Sequence, residues 1–124
     1  MMAMANFAPS RTTMENIKAS GDFDLIKDMK LRESIINTYN FYETTSNLEN
    51  LLSDYVNQYI TPFFFENVRF SDFSSIHSDF VKEPKFENIV LGYEVLLKQL
   101  INGYHTNMEM QKDLNEKLNR FDNP

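Results

Sequence analysis

The stretch PKFENIVLGYEVLLKQLINGYHTNMEMQKDLNEKLNRF, Pro84–Phe121, decides the fold. Phe86, Val90, Tyr93, Leu97, Leu100, Tyr104, Asn107, Gln111, Leu114, Leu118 and Phe121 recur in strict steps of four and three. That is the period of one helix face; a strand would alternate in twos. Ile89, Leu96, Ile101 and Met108 widen the stripe. Pro84 suits a first helical turn, where its missing amide costs nothing. Glu94 and Lys98, Asp113 and Lys117, and Glu116 and Arg120 stand four apart with the acid first, the favourable order for helix ion pairs. Gly103 in the helix interior costs about 1 kcal/mol relative to Ala. It marks either a close helix approach or a bend. Asn107 and Gln111 either fix the register of a helix pair or mark where its core contact ends.

Upstream, the same period returns. Leu31, Ile35, Tyr39 and Tyr42 lead into Phe41, Thr45, Leu48, Leu52, Tyr55 and Tyr59. This predicts a second long helix starting near Met29, with Asp28 as its N-cap. The polar run Thr44–Asn47 has poor helix propensity and is a place for a bend. Pro62 lacks an amide and clashes with the preceding turn, so it should kink or end the helix. Further back, Thr12 and Glu15 have capping-box spacing, which predicts a short helix over Thr13–Ala19. Ser20-Gly21 closes it, because glycine accepts the left-handed conformation. Phe23, Leu25 and Ile26 then form a helical turn that pins this helix to the rest.

Glu66–Glu83 is the connection between the long helices. It is long for a compact domain. Its Phe70, Phe73, Ile76 and Phe80 suggest that it packs over one end of the helices. The expected architecture is all-α: a small helical bundle of two long antiparallel helices plus a short N-terminal helix, with an aromatic-rich connecting loop. Residues 1–11 read as a disordered or vector-derived start, and 12–124 as one domain. The stripe on the last helix is too broad for a single neighbour to cover.

The 124 residues carry a net charge of −6 and no cysteine. The acidic balance disfavours nucleic acid, since no basic cluster offsets it. Without cysteine there is no disulfide, thiolate metal site or thiol nucleophile. A membrane-spanning helix needs about 20 apolar residues. The apolar stretches around Tyr55–Phe65 and Ile89–Leu97 are shorter or interrupted, so no transmembrane segment is expected here. Met1–Ala5 lacks the basic start and long apolar run of a signal peptide.

No residue pattern points to catalysis, and none to a cofactor. His105, Glu109 and Asp113 can share a helix face with metal-ligand chemistry, but the paired Glu-x-x-His units of bundle di-iron proteins are absent, and the three read as a polar flank beside Tyr104 and Met108. His77, among Ser74, Ser75, Ser78 and Asp79, has no nucleophile elbow and reads as a polar loop. Three glycines leave no phosphate-binding loop. The chain is therefore expected to be no enzyme, with neither metal nor cofactor.

The feature furthest from average is the run Phe63-Phe64-Phe65 with Phe70 and Phe73. It is either end-cap core or a partner-binding surface. Three consecutive residues cannot share one face of a helix, so at least one phenyl should meet solvent or a partner. A second possibility is a ligand pocket lined by Tyr39, Tyr42, Tyr55, Tyr93 and Tyr104, as in a small-ligand sensor.

The run Thr13–Asp28, followed by Leu31-Arg32 and Ile35–Tyr39, resembles the soluble part of an uncharacterised bacterial family of single-pass membrane proteins, as do Tyr59–Pro62 and Phe64-Phe65. The resemblance covers most of the chain from about Phe7. It is carried by capping and core residues, so it speaks for a fold more than an activity. Family members carry a basic N-terminal segment, one membrane helix and a further helical stretch ahead of this region, which this sequence lacks. The resemblance implies a soluble domain on the periplasmic side of the inner membrane. It implies no catalytic residues. The broad stripe on the last helix and the dense aromatics, for their part, point to a protein partner or self-association.

Overall fold

The computed structural model describes residues 21–77 and 79–122, together with Glu15 and Ala19. The protein is all-α. Among the described residues there is no strand, only an isolated bridge between Val68 and Ser75. Of the expected helix Thr13–Ala19, only Glu15 and Ala19 are described, and both are helical; Thr12, Met14 and Ile17 lie outside the described residues.

Gly21 adopts the left-handed conformation, φ 79°. A short 3₁₀ turn, Asp22–Leu25, follows it and buries Phe23. Helix α1 spans Met29–Tyr55. Its cap is Asp28, whose carboxylate accepts from the amides of Lys30 (3.0 Å) and Leu31 (3.2 Å). These are two of the donors that a helix start leaves without partners.

α1 runs unbroken through Thr44–Asn47. The hydroxyls of Thr38, Thr44 and Thr45 each donate to the carbonyl four residues back. Their polar groups are thereby satisfied within the helix, and the weak propensity is overridden.

The helix does not end at Pro62. Val56–Ile60 forms a π-helical turn, and α2, Thr61–Asn67, continues from it with Pro62 in its first turn. The Thr61 amide reaches back five residues to the Val56 carbonyl. The wider π turn shifts the hydrogen-bond register just before the proline, which then occupies a position that needs no donor.

The connection is more ordered than a loop. The Val68–Ser75 bridge closes a small hairpin, and a 3₁₀ turn, Phe80–Lys82, leads into α3, Pro84–Asp122. Two of the expected ion pairs are made on α3, Glu94–Lys98 at 2.8 Å and Asp113–Lys117 at 2.9 Å. Glu116–Arg120 is not among the ion pairs of the described residues.

The chain groups into two compact units. In the unit Leu48–Leu100, the end of α1 with its π turn and α2 lies antiparallel to the first half of α3. Tyr55 meets Ile89, and Phe63 meets Phe86. Leu52, Val56, Phe63 and Leu100 are its buried apolar residues. The other unit pairs the earlier part of α1 with α3 from Ile101 onward, again antiparallel. Ser34 meets Lys117, and Thr45 meets Asn107. Its centre is polar: Thr38, Thr45 and Asn107 are all buried.

The buried face of α3 is turned slightly from the expected stripe. Leu100 and Asn107 are buried as expected, and Gly103 joins them. Val90, Gln111 and Leu118 are exposed.

Candidate functional site

The aromatic end of the Leu48–Leu100 unit is the site with most character. Successive helix positions point about 100° apart, so α2 divides its three phenylalanines. Phe63 turns inward and is only 3% exposed. It packs against Phe80 and Phe86 in a triad with ring centroids 5.6 to 5.8 Å apart. Phe63 therefore belongs to the core and not to the candidate surface. Phe64 and Phe65 face outward.

The hairpin after α2 is built on polar anchors. The buried Asn67 side chain donates to the Phe63 carbonyl at 2.8 Å, and the Asn67 carbonyl accepts from the Ile76 amide at 2.8 Å. The Arg69 amide donates to the Ser74 carbonyl at 2.8 Å. At the turn, Asp72 accepts from both the amide (3.0 Å) and the hydroxyl (2.6 Å) of Ser74. These bonds hold the Asp72 carboxyl below its ordinary value. The Ser75 hydroxyl donates to the His77 carbonyl.

Anchored in this way, the hairpin presents its Phe70 and Phe73 side chains outward. The rings of Phe65 and Phe70 stack edge to face at 5.1 Å. Phe73 is 80% exposed and stands at φ 56°. A bulky residue in the left-handed region is a conformational outlier that costs about 1–3 kcal/mol. Ile76 lies exposed beside them in sequence. Of the five expected surface phenylalanines, four are exposed and one is core.

The five tyrosines are divided. Tyr55 and Tyr93 belong to one unit, and Tyr39, Tyr42 and Tyr104 to the other. Tyr39 and Tyr42 meet edge to face at 5.7 Å. Burial, with Tyr39 adding to it, raises the Tyr42 phenol above its ordinary value. Tyr55 has a structural task. Its hydroxyl donates to the Ile89 carbonyl at 2.8 Å and lies against Gly92. Burial and the neighbouring Tyr59 raise its phenol as well. Two open surface depressions are lined by other residues, one around Val81, Phe86 and Leu91 and one around Met108 and Asn115.

His77 and His105 are both exposed. Among the described residues, no group of three acidic or histidine side chains is arranged to hold a metal ion. No described helix is long and apolar enough to cross a membrane.

Two structural roles fall on residues that pattern alone passed over. Gly92 accommodates the Tyr55 ring; its signal was a glycine inside a strong helical period. Arg32 clamps the 3₁₀ turn. Its guanidinium donates to the carbonyls of Ile26 (2.5 and 3.1 Å) and Asp24 (3.2 Å) and lies 5.7 Å from the Phe23 ring centroid.

The fold and site thus define an all-α protein with an aromatic patch at one end of a helix pair. Compared with protein-family models, curated proteins and solved structures, the chain has no match.

Proposed function

We propose that this protein is a non-enzymatic helical interaction module, which works by burying its aromatic end against a protein partner. The observation that carries this is the outward placement of Phe64 and Phe65 on α2 and of Phe70 and Phe73 on the hairpin that follows it. Contiguous exposed apolar surface of this kind marks interaction sites. In the same proposal, the helix Thr13–Ala19 completes a small bundle. The domain is then the extracytoplasmic part of a membrane-anchored envelope protein, as its resemblance in Thr13–Tyr39 implies.

A polarity-sensitive fluorescent dye tests the surface. The native chain should bind it, and Phe65→Ser with Phe70→Ser should lose most of the signal while far-ultraviolet circular dichroism stays unchanged. Absence of dye binding by the native chain at dilutions where it is monomeric would count against the proposal. A reporter enzyme active only outside the cytoplasm, fused after Pro124 of the full-length protein, tests the placement.

A further inference from the structure

We infer that the occupant of the aromatic end is a second copy of this chain, docked through a two-fold contact of the Phe64–Ile76 segment on itself. The inference rests on the interaction-module proposal and names its partner.

Area is the first argument. Phe64, Phe65, Phe70 and Phe73 are 39, 61, 52 and 80% exposed. At about 200 Å² for each phenyl side chain, they present roughly 450 Å² per copy. Two copies face to face bury on the order of 900 Å² from these four side chains alone, and Ile76 with the polar rim takes the total past about 1,000 Å², the size a specific interface requires. The rest of the unit agrees. Among the described residues of Leu48–Leu100, four apolar side chains are buried and eleven large ones are exposed. A unit with so lopsided a distribution gains most from a partner present whenever the chain is present.

Charge is the second argument. The patch carries one cation, Arg69, between two acids, Glu66 and Asp72. None of the three makes an ion pair among the described residues. In a two-fold contact the same surface meets itself, so a residue that touches a second residue is touched by it in return. Arg69 of each copy then faces one acid of the other, giving two opposite-charge pairs across the contact, and the second acid of each copy stays at the solvated rim. The same two acids oppose a lipid surface carrying negative charge.

The third argument is Phe73. A phenylalanine held in the left-handed region and almost wholly in solvent contributes nothing to the unit that holds it. Buried in a contact between copies, it has a use that offsets its conformational cost.

Sedimentation equilibrium of the full chain, from micromolar to hundreds of micromolar, tests this with two variants and the dye. The expected result is a concentration-dependent dimer that Phe65→Ser/Phe70→Ser and Phe73→Gly each weaken tenfold or more. Phe73→Gly removes the strain, so at dilutions where both proteins are monomeric its urea midpoint should equal or exceed that of the native chain. A merely structural Phe73 would instead leave the dimer intact. A dimer that resists both variants overturns the inference. A native monomer that binds dye, with binding lost in the variants, overturns it too but leaves the interaction module standing. A native monomer that binds no dye overturns both.

Discussion

The Tyr55 hydroxyl lies where a β-carbon on Gly92 would have to stand, and it donates there to the Ile89 carbonyl at 2.8 Å. Even the ring carbon bearing that hydroxyl would be only 3.0 Å from such a β-carbon. Gly92→Ala gains about 1 kcal/mol of helix propensity but forces an overpacking that costs about 1–3 kcal/mol. The net expectation is a loss of up to about 2 kcal/mol. Tyr55→Phe removes one hydrogen bond, worth about 1 kcal/mol, and also removes the atom that clashes. The double variant should therefore be less destabilised than the two single losses added together. Urea denaturation of the four proteins measures this coupling, and simple additivity would refute it.

The buried Thr45–Asn107 pair makes a second prediction. Asn107 donates to the Thr45 hydroxyl at 2.8 Å, while its own side-chain oxygen is buried with no partner. Thr45→Val alone strands the buried Asn107 side chain and should cost about 1–3 kcal/mol. Loss of Asn107 strands nothing at Thr45, whose hydroxyl keeps its bond to the Phe41 carbonyl. Thr45→Val with Asn107→Leu removes both polar groups together and should be neutral or stabilising. Thermal unfolding decides it, and a double variant weaker than Thr45→Val would overturn the argument.

Neighbouring phenylalanines should differ widely. Phe63→Ala empties the triad with Phe80 and Phe86 and should cost about 3–5 kcal/mol. Phe65→Ala, measured where the chain is monomeric, should stay within about 0.5 kcal/mol of the native protein. Equal losses at the two positions would remove the distinction between core and surface drawn for α2.

The Asp72 turn should respond to acid. Its two bonds from Ser74 favour the ionised carboxyl in the folded protein, so its folded value lies below the ordinary 3.8. Its contribution to the hairpin is complete above 3.8 and is lost as the pH falls through the lowered folded value. Ser74→Ala should return the Asp72 titration towards 3.8, read from the carboxyl carbon shift in nuclear magnetic resonance. An unchanged titration would show that Ser74 does not hold the carboxylate.

The helices were legible because their causes are local. Asp28 caps α1 through its own backbone neighbourhood, Gly21 takes its left-handed conformation without outside help, and the four-three period of α3 needs only the geometry of the helix. That the helix runs on past Pro62 was not legible, because proline was weighed against an α-helix alone. The π turn Val56–Ile60 offers a register in which proline is tolerated, and no short-range signal announces it. Of the candidate surface, the need for at least one outward phenylalanine was legible from helix geometry. Which one turned inward was not, because Phe63 is chosen by Phe80 and Phe86, which lie elsewhere in the sequence.

By itself the sequence determined that the chain is helical, where its long helices start, and that it carries more apolar surface than one helix contact can hide. Those properties follow from propensity, capping and periodicity, which act over a few residues. Only the tertiary structure decided which face of α3 is buried, that Gly92 is reserved for Tyr55, and that Phe73 stands strained in solvent. Each of these depends on atoms brought together from distant positions, and short-range rules carry no information about such encounters.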